Sequence, residues 1–334
     1  MNSSLGDQFE LISVVQDRPA GGINLSLILR MAGQMRRAKP DMAHVRGLGN
    51  EGFHGVVAAR LAGVSRVLVS VHGSVSDLVH GRRTLRRRFV EVVLERLTLQ
   101  LASHISTVCE AAISKPVLRP YARKFVGVTA NGVPPTRIDP AARSEVRCEL
   151  GVSDDTMLVV AVGRLTLDKG IEDILASVEL ARFAQPTILV FVGDGPDRWV
   201  IEQWLRSEHE TKVILLGRRD DVDRLLAAAD VFVLGSLHEN LSYALLEAMN
   251  AGLPAVATRV GGNVEVLAHG GGVLVAPHAP AELAEALRVL GDPDLRRKLG
   301  AEAKVAIAEH YTLDHMVDRL ALAYGSVLSS GEQS

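Results

Sequence analysis

The sequence contains few aromatic residues, few cysteines and no long apolar segment, and each absence excludes a class of protein. Aromatic residues make up 4% of the 334 residues, whereas apolar residues make up 47% and are mostly alanine, valine and leucine. This composition argues against an aromatic-rich β-sandwich and favours parallel strands covered by helices. No apolar run reaches the roughly 18–20 residues of a membrane-spanning helix, and the first residues do not resemble a signal peptide. We therefore expect a soluble, cytoplasmic protein.

The two cysteines, Cys109 and Cys148, are too few for a disulfide framework. Their spacing to the histidines does not match a zinc site. We expect both to be reduced side chains that pack in the interior. The segment Asp292-Pro-Asp294 superficially resembles a metal-binding pair, but it lies at a predicted helix start and is interpreted as a helix cap. We expect no bound metal.

Charge is distributed unevenly, although the formal net charge is only -2. Residues 1–140 contain 19 Lys and Arg against 10 Asp and Glu, a net charge of +9. The remaining residues contain 18 basic against 29 acidic side chains, a net charge of −11. Two halves of opposite sign indicate two domains with different partners.

Short apolar runs alternate with longer amphipathic segments along most of the chain. This alternation predicts an α/β protein with parallel sheets and helices on both faces. A turn-rich segment at Asn131–Ala142 predicts the domain boundary. Helical patterns cover Arg86–Ala102, Gly170–Ala184, Trp199–Ser207 and Ala281–Leu290. The predicted strands are Leu11–Val15, Met42–Val45, Val67–Val71, His104–Val108, Phe125–Val128, Met157–Val162, Thr187–Val192, Val213–Leu216, Val231–Leu234, Ala255–Thr258 and Gly272–Val275.

A loop with two cations follows the strand that ends at Val162. Gly163 ends the strand, Gly170 opens the next helix, and Arg164 and Lys169 lie between them. Fixed positive charges beside a helix N-terminus are suited to a diphosphate. The alternative is a solvated loop whose cations pair with neighbouring acids.

Two carboxylates flank the start of another predicted helix. Glu239 precedes Ser242, which is the predicted N-cap, and Glu247 lies eight residues after Glu239 inside the helix. Backbone N–H groups near Leu241 and Tyr243 would face a phosphate, and the carboxylates would bind sugar hydroxyls. The alternative is a helix whose acids serve solubility.

Two further strand ends give weaker signals. The turn Gly193-Asp-Gly-Pro196 lacks a full dinucleotide fingerprint, so a structural turn is the simpler interpretation. Gly217 and Arg218 end the next strand, and the acids at 220, 221 and 223 that follow are interpreted as helix caps and first-turn charges.

Together these motifs resemble the retaining glycosyltransferases of family 4, over about residues 41–328. The Glu239–Glu247 pair and the Arg164/Lys169 loop are its most specific marks. The resemblance implies the GT-B fold, with two facing Rossmann-like domains and an interdomain cleft. It implies an N-terminal acceptor domain at 1–138, a donor domain at 139–312, and a C-terminal helix at 313–328 that returns to the first domain.

The resemblance also implies a role for each motif. In the family, the residues at the positions of Arg164 and Lys169 bind the donor diphosphate. The residue at the position of Glu239 contacts the transferred sugar, and the residue at the position of Glu247 holds the ribose. The family usually has Gly-Phe at Asn240-Leu241, which leaves the shape of the sugar pocket open. The predicted catalytic residues are His72, Arg164, Lys169 and Glu239, and the predicted donor-binding residues are Gly163, Arg164, Lys169, Gly217, Arg218, Asn240, Leu241, Ser242 and Glu247.

In the first half, His72 follows a predicted strand, and the matching histidine of the family faces the donor sugar. Two interpretations of the start of the chain are open. The segment Asp17–Gly22 supplies the family's Gly-Gly loop, or the family's usual opening strand-helix unit is missing. We favour the second interpretation. The basic run Arg82–Arg88 is interpreted as a solvated helical face, or as a contact with a phosphorylated acceptor or with anionic lipid at the inner membrane face. It lacks base-stacking aromatics, so we expect no nucleic acid partner.

We therefore expect metal-independent transfer of a sugar from a UDP-, GDP- or ADP-sugar to an acceptor hydroxyl, with no further cofactor. One alternative is a nucleotide-sugar epimerase of the same fold, which would need no acceptor. The other is a donor-binding or regulatory subunit with impaired catalysis, as a missing opening unit would favour.

Overall fold

The computed structural model describes residues 9–14, 22–74, 77, 89–135, 139 and 141–330. The chain divides into two compact units. The N-terminal unit comprises Met1–Asn131 with Leu313–Ser334, and the C-terminal unit comprises Gly132–Thr312. Each contains one parallel sheet. None of the described helices is both long and apolar enough to cross a membrane.

The N-terminal unit is built on four parallel strands in the order β1-β2-β3-β4. Its core lies between this sheet and the helices, and it is made of aliphatic and methionine side chains. The strands are β1 (Ala43–Arg46), β2 (Val67–Val71), β3 (His104–Thr107) and β4 (Phe125–Val128). The helices are α1 (Leu25–Ala38), α2 (Gly49–Leu61), a π-helical turn (Val90–Leu94) that continues as α3 (Glu95–Leu101), α4 (Glu110–Ile113) and a 3-10 segment (Arg119–Lys124).

The predicted strand Leu11–Val15 is wrong over its described part. Residues 9–14 form no strand, and Val15 lies outside the described residues. Leu11 and Ile12 are exposed, while Val14 only packs against the edge of the core. The local β-branched pattern therefore has no described neighbouring strand with which to pair. The Asp17–Gly22 loop also lies outside the described residues, except for Gly22.

The C-terminal unit is built on six parallel strands in the order β10-β9-β8-β5-β6-β7. The strands are β5 (Met157–Val162), β6 (Thr187–Val192), β7 (Lys212–Gly217), β8 (Val231–Leu234), β9 (Ala255–Thr258) and β10 (Gly272–Val275). The helices are α5 (Ala142–Leu150), α6 (Ile171–Ala181), α7 (Arg198–Trp204), α8 (Val222–Ala228), α9 (Tyr243–Asn250), α10 (Gly262–Leu267), α11 (Pro280–Val289) and α12 (Pro293–His310), and a 3-10 turn (Leu167–Lys169) precedes α6.

Strand β5 has a special position in this sheet. The chain continues from β5 to β6 and β7 on one side, and then returns to place β8, β9 and β10 on the other side. The carboxyl ends of β5 and β8 are therefore neighbours, although they are far apart in sequence. Ligands of open α/β sheets bind where the strand order reverses in this way.

The last helix, α13 (Leu313–Ser329), belongs to the N-terminal unit. It packs on β4, and Tyr324 joins a small apolar cluster with Leu68. The Tyr324 hydroxyl lies 2.8 Å from His44 Nδ1, and His44 Nε2 lies 2.7 Å from Ser70 Oγ. Side-chain hydrogen bonds thus tie α13 to the sheet.

An ion pair in the C-terminal unit joins α5 to the strand β8 region. Arg147, on α5, is 2% exposed, and its Nη1 lies 3.1 Å from Asp230 Oδ2. Its Nη2 donates to the carbonyl oxygen of Thr156 at 2.6 Å. Asp230 in turn accepts a hydrogen bond from Leu158 N at 2.8 Å. This group of contacts fixes α5 at the amino end of β5 and was not predicted from the sequence.

Three predictions about single residues can be compared with the structure. Cys109 is buried and Cys148 is exposed, and both are free thiols, so the prediction of interior packing is wrong for Cys148. That residue lies on the outer side of α5. Asp292 caps α12 as predicted, because its Oδ1 accepts from Asp294 N at 2.9 Å. Asp221 occupies the N-cap position of α8 but makes no capping bond, because its carboxylate pairs with Arg219.

Candidate functional site

The loop after β5 is held in place by the loop after β6. Leu165 N donates to the Asp194 carbonyl at 3.0 Å, and Leu167 N donates to Asp197 Oδ2 at 2.8 Å. These bonds fix the backbone that follows Arg164. Within the described residues the exposed Arg164 side chain makes no hydrogen bond, so its charge faces solvent. The turn 193–196, interpreted from the sequence as structural, serves this purpose.

Gly170 allows the loop after β5 to contact the loop after β8. Its φ of +67° is in the left-handed region, and a Cβ there would lie 1.9 Å from the carbonyl oxygen of Gly235. Close by, Leu237 N donates to the Asp168 carbonyl at 2.9 Å. The two loops are therefore in direct backbone contact at the point where the strand order reverses.

Lys169 and Glu239 meet across this contact. Lys169 Nζ lies 2.5 Å from Glu239 Oε1, and Ser236 Oγ donates to the same oxygen at 2.8 Å. The backbone of Ser236 is itself held, because Thr258 Oγ1 donates to its carbonyl at 2.5 Å. The Glu239 side chain is 10% exposed and that of Lys169 is 32% exposed. Two motifs predicted separately thus form one charged cluster beside the exposed Arg164.

Gly261 supports Glu239 from the loop after β9. Its φ is +47°, and a Cβ would lie 1.9 Å from the Glu239 carbonyl oxygen. The adjacent Gly262 N donates to the Asn240 carbonyl at 2.7 Å. Sequence reasoning missed this support and the role of Ser236. The doublet Gly261-Gly262, directly after a strand, was the signal that could have identified it.

The segment between Glu239 and α9 is buried. Asn240, Leu241 and Ser242 are all less than 9% exposed. Ser242 is the N-cap of α9 as predicted, and its Oγ accepts from Leu245 N at 3.4 Å. Asn240 and Leu241 therefore pack inside the loop that carries Glu239, and they do not form an open surface.

Glu247 lies on α9 and lines a cavity of about 470 Å³ within the C-terminal unit. Desolvation raises the pKa of its carboxyl above the ordinary value. One wall of the cavity is Val133–Pro135, fixed to α9 because Asn250 Nδ2 donates to the Pro134 carbonyl at 2.7 Å. The first turns of α8 form the opposite wall, with Val222 and Leu226 as apolar lining. An apolar and acidic cavity of this kind is suited to a neutral ring with hydroxyl or N–H donors.

Gly163, Gly217 and Arg218 lie at the same edge of the sheet. Gly163 N donates to the Val192 carbonyl at 3.0 Å, and Gly193 N donates to the Gly217 carbonyl at 2.8 Å. These bonds join the ends of β5, β6 and β7. The Arg218 side chain is 86% exposed, with Nε 4.0 Å from Asp220 Oδ1.

His72 lies in the N-terminal unit, directly after β2. Burial, followed by the charges of Arg46 and His44, lowers the pKa of its ring to about 4. It is therefore a neutral hydrogen-bonding group at neutral pH. The basic run Arg82–Arg88 lies outside the described residues.

Comparisons with known proteins agree with this geometry. The model described as "Glycosyl transferases group 1" matches residues 142–306, and that described as "Glycosyl transferase 4-like domain" matches residues 8–115. N-acetyl-alpha-D-glucosaminyl L-malate synthase of Bacillus anthracis is 24% identical over 91% of this chain and 80% of that protein. Alpha-D-kanosaminyltransferase of Streptomyces kanamyceticus is 28% identical over 85% of this chain and 76% of its own length.

A solved structure is also similar over most of the chain. HepE of Anabaena, crystallised in complex with UDP-glucose, aligns with a TM-score of 0.75 and 21% identity over 90% of this chain and 82% of that chain. This likeness and the two parallel-sheet units confirm the predicted GT-B fold. With both family models matched in sequence order, the chain belongs to the glycosyl transferases group 1, the family 4 type of glycosyltransferase.

Proposed function

We propose that this glycosyltransferase moves a sugar from a nucleoside-diphosphate sugar to an acceptor hydroxyl, with retention of configuration and without a metal ion. The contact between Lys169 Nζ and Glu239 Oε1, at 2.5 Å, is the main support for this proposal. It brings a cation suited to phosphate and a carboxylate suited to sugar hydroxyls to one point. Retention rests on the family resemblance.

In this proposal Arg164 and Lys169 bind the diphosphate. Arg164 is exposed on a backbone that the neighbouring loop fixes, so its charge is positioned before the donor arrives. As the sugar–phosphate bond breaks, negative charge grows on the leaving diphosphate, and preorganised cations stabilise it most at that stage. In the absence of donor, Lys169 neutralises Glu239. Bound diphosphate would then share the ammonium group.

Glu239 and Glu247 are proposed to hold two different parts of the donor. The Ser236 hydroxyl donates to Glu239 Oε1 at 2.8 Å and thereby orients the carboxylate for a hydroxyl of the transferred sugar. Glu247 would accept from the ribose hydroxyls in the cavity that it lines. Gly163, Gly217, Arg218, Asn240, Leu241 and Ser242 complete the proposed donor site.

His72 is proposed to act near the transferred sugar. Because its pKa is lowered to about 4, the ring is neutral at working pH and offers a hydrogen bond without a second positive charge. The N-terminal unit would then bind the acceptor, which is a hydroxyl-bearing glycan, lipid or small molecule.

A thermal-shift panel of UDP-, GDP- and ADP-sugars tests the donor site. A ligand at 100 times its Kd stabilises the folded state by about 2.7 kcal/mol, which gives a measurable rise in melting temperature. HepE was crystallised with UDP-glucose, so UDP-sugars are tested first. We expect Arg164→Ala and Lys169→Ala each to remove most of the shift.

Arg297→Ala and Lys298→Ala are the matched controls, because both side chains are exposed on α12, and they should retain the full shift. A full shift in both loop variants would refute the diphosphate assignment. Product analysis with an acceptor hydroxyl then distinguishes transfer from epimerisation of the donor.

A further inference from the structure

The outer face of α1 exposes leucine side chains that the core does not use. The buried face of this helix consists of Leu27, Ile28, Met31 and Met35, together with Ala32. Outside this buried face, Leu25 is 70% exposed and Leu29 is 62% exposed. Residues four apart lie one turn apart on the same face of a helix. The two leucines therefore form an apolar stripe that faces solvent.

A third leucine extends this stripe from α2. Arg36 Nη2 donates to the carbonyl oxygen of Leu61 at 2.5 Å, which places the end of α2 beside the last turn of α1. Leu61 is 46% exposed. At roughly 100° per residue, Arg36 lies on the same line of α1 as Leu25 and Leu29. The apolar stripe therefore runs along α1 and onto the neighbouring helix.

Cations border the stripe, and α1 contains no acidic residue. Arg30 and Arg37 are exposed on the adjoining side of the helix, roughly 80–140° around its axis from the leucines, and neither forms an ion pair within the described part of the chain. The described segment 22–74 contains seven Lys and Arg against two Asp and Glu, so the surroundings are also basic. We define the outer face of α1 as Leu25, Leu29, Arg30, Arg36 and Arg37.

We propose that the outer face of α1 binds the N-terminal unit to an anionic membrane surface. A helix with a narrow apolar stripe and a basic flank lies in the plane of the interface, with leucines at the acyl boundary and arginines at the phosphates. Arginine stems can lie along apolar surface while their guanidinium groups reach the headgroups. Charge complementarity selects lipid here, since the face has three arginines and no carboxylate. The proposal does not depend on Arg82–Arg88.

Flotation with vesicles of phosphatidylcholine, with and without phosphatidylglycerol, tests the proposal. We expect the full chain to float only with the anionic vesicles and to be released at high salt, because screening weakens the attraction. Leu25→Ser/Leu29→Ser should lower the partition coefficient about tenfold, since apolar area is lost. Arg30→Gln and Arg37→Gln should each lower it about fivefold.

The controls carry equal changes at other exposed positions. Leu180→Ser/Leu322→Ser alters two exposed leucines on α6 and α13, and Arg297→Gln alters an exposed arginine on α12. These variants should bind vesicles as the unchanged chain does. Melting temperatures verify that all variants fold, because every changed side chain lies outside the core.

Three results would overturn the proposal. The first is the absence of flotation with anionic vesicles, or equal flotation with neutral ones. The second is unchanged binding by the Leu25/Leu29 and Arg30/Arg37 variants. The third is a dimer, detected by light scattering without lipid, that Leu25→Ser/Leu29→Ser dissociates; this would assign the face to a second copy of the chain.

Discussion

The two parallel sheets differ in strand order, and this difference determines where distant parts of the chain meet. The described strands of the N-terminal sheet follow sequence order, whereas in the C-terminal sheet β5 lies between β6 and β8. Loops that follow β5 and β8 are therefore neighbours. Lys169 and Glu239, 70 residues apart in sequence, are in contact for this reason.

Polar side chains serve a different purpose in the N-terminal sheet. One polar side chain lies on or directly after each of the four strands, in the order His44, Ser70, Ser106 and Thr129. Ser70 Oγ lies 2.7 Å from Ser106 Oγ, and Thr129 Oγ1 donates to Ser106 Oγ at 3.2 Å. These groups bond to one another and, through Tyr324, to α13. In the C-terminal sheet the reversed order brings charged side chains of two distant loops together, whereas in the N-terminal sheet the sequential order lets polar side chains bond to one another.

The largest expected effect concerns stability in the C-terminal unit. Arg147→Met removes the buried donor of the Ala228 and Thr156 carbonyls, whereas Asp230 keeps a second ion pair, with Arg143 Nη2 2.7 Å from its Oδ1. We expect the free energy of unfolding to fall by about 3 kcal/mol, because buried carbonyls lose a charged donor. Urea denaturation measures this, with Arg297→Met, at an exposed position, expected to change stability by less than about 0.5 kcal/mol. A similar small change for both variants would mean that Arg147 is not essential to this unit.

Glu239→Gln tests the charged cluster at the reversal point. Loss of the carboxylate removes the interaction that we propose for the transferred sugar, and we therefore expect transfer activity to fall about 100-fold. The melting temperature should change little, because glutamine retains the shape and can still accept from Ser236. The exposed Glu285→Gln should keep full activity. If kcat and KM were unchanged in Glu239→Gln, the charged cluster would have no part in the reaction.

Gly261→Ala tests the backbone support of the same loop. The new Cβ would overlap the Glu239 carbonyl oxygen and adopt a φ of +47°, so we expect a loss of stability of about 2 kcal/mol. Gly325→Ala in α13 should act in the opposite direction, since nothing lies within 4 Å of the added Cβ and alanine favours helices by up to about 1 kcal/mol. Thermal unfolding compares the two. If both substitutions changed the melting temperature in the same direction, this would contradict the packing described for Gly261.

A pH dependence that arises in the N-terminal unit gives the last test of the comparison. Desolvation lowers the pKa of His44 and of His72 to about 4, from 6.5 in the unfolded chain. Between these values the unfolded state binds more protons, so stability is complete above about pH 6.5 and decreases as the pH falls towards 4. We expect the free energy of unfolding to fall over this interval by up to about 1.4 kcal/mol per pH unit for each histidine. His44→Gln should reduce the slope of stability against pH, and an unchanged slope would argue against a shifted His44.

Sequence patterns that depend on neighbouring residues were sufficient for most of the fold. Ten of the eleven predicted strands occur, with boundaries within two residues, because buried parallel strands have distinct apolar runs followed by turn residues. The Ser242 and Asp292 caps were likewise predictable, since capping is a local interaction. The predicted strand Leu11–Val15 is wrong over residues 11–14, where no described strand pairs with the apolar run.

The site could be predicted only in part. Residue types and spacing predicted Arg164, Lys169, Glu239 and Glu247 as site residues, but they did not predict the contact between Lys169 and Glu239. Ser236, Gly261 and the Arg147–Asp230 pair depend on contacts between segments that are distant in sequence, and no local pattern encodes them. Asp221 is a further example. It was predicted to cap a helix, but its carboxylate pairs with Arg219 instead of the helix N-terminus.

A crystal structure with bound UDP-sugar would test most directly whether the loops after β5 and β8 together form the donor site. We predict that the diphosphate lies within hydrogen-bonding distance of both Arg164 and Lys169, with the sugar beside Glu239. A diphosphate bound elsewhere in the C-terminal unit, with Lys169 still paired to Glu239, would contradict it.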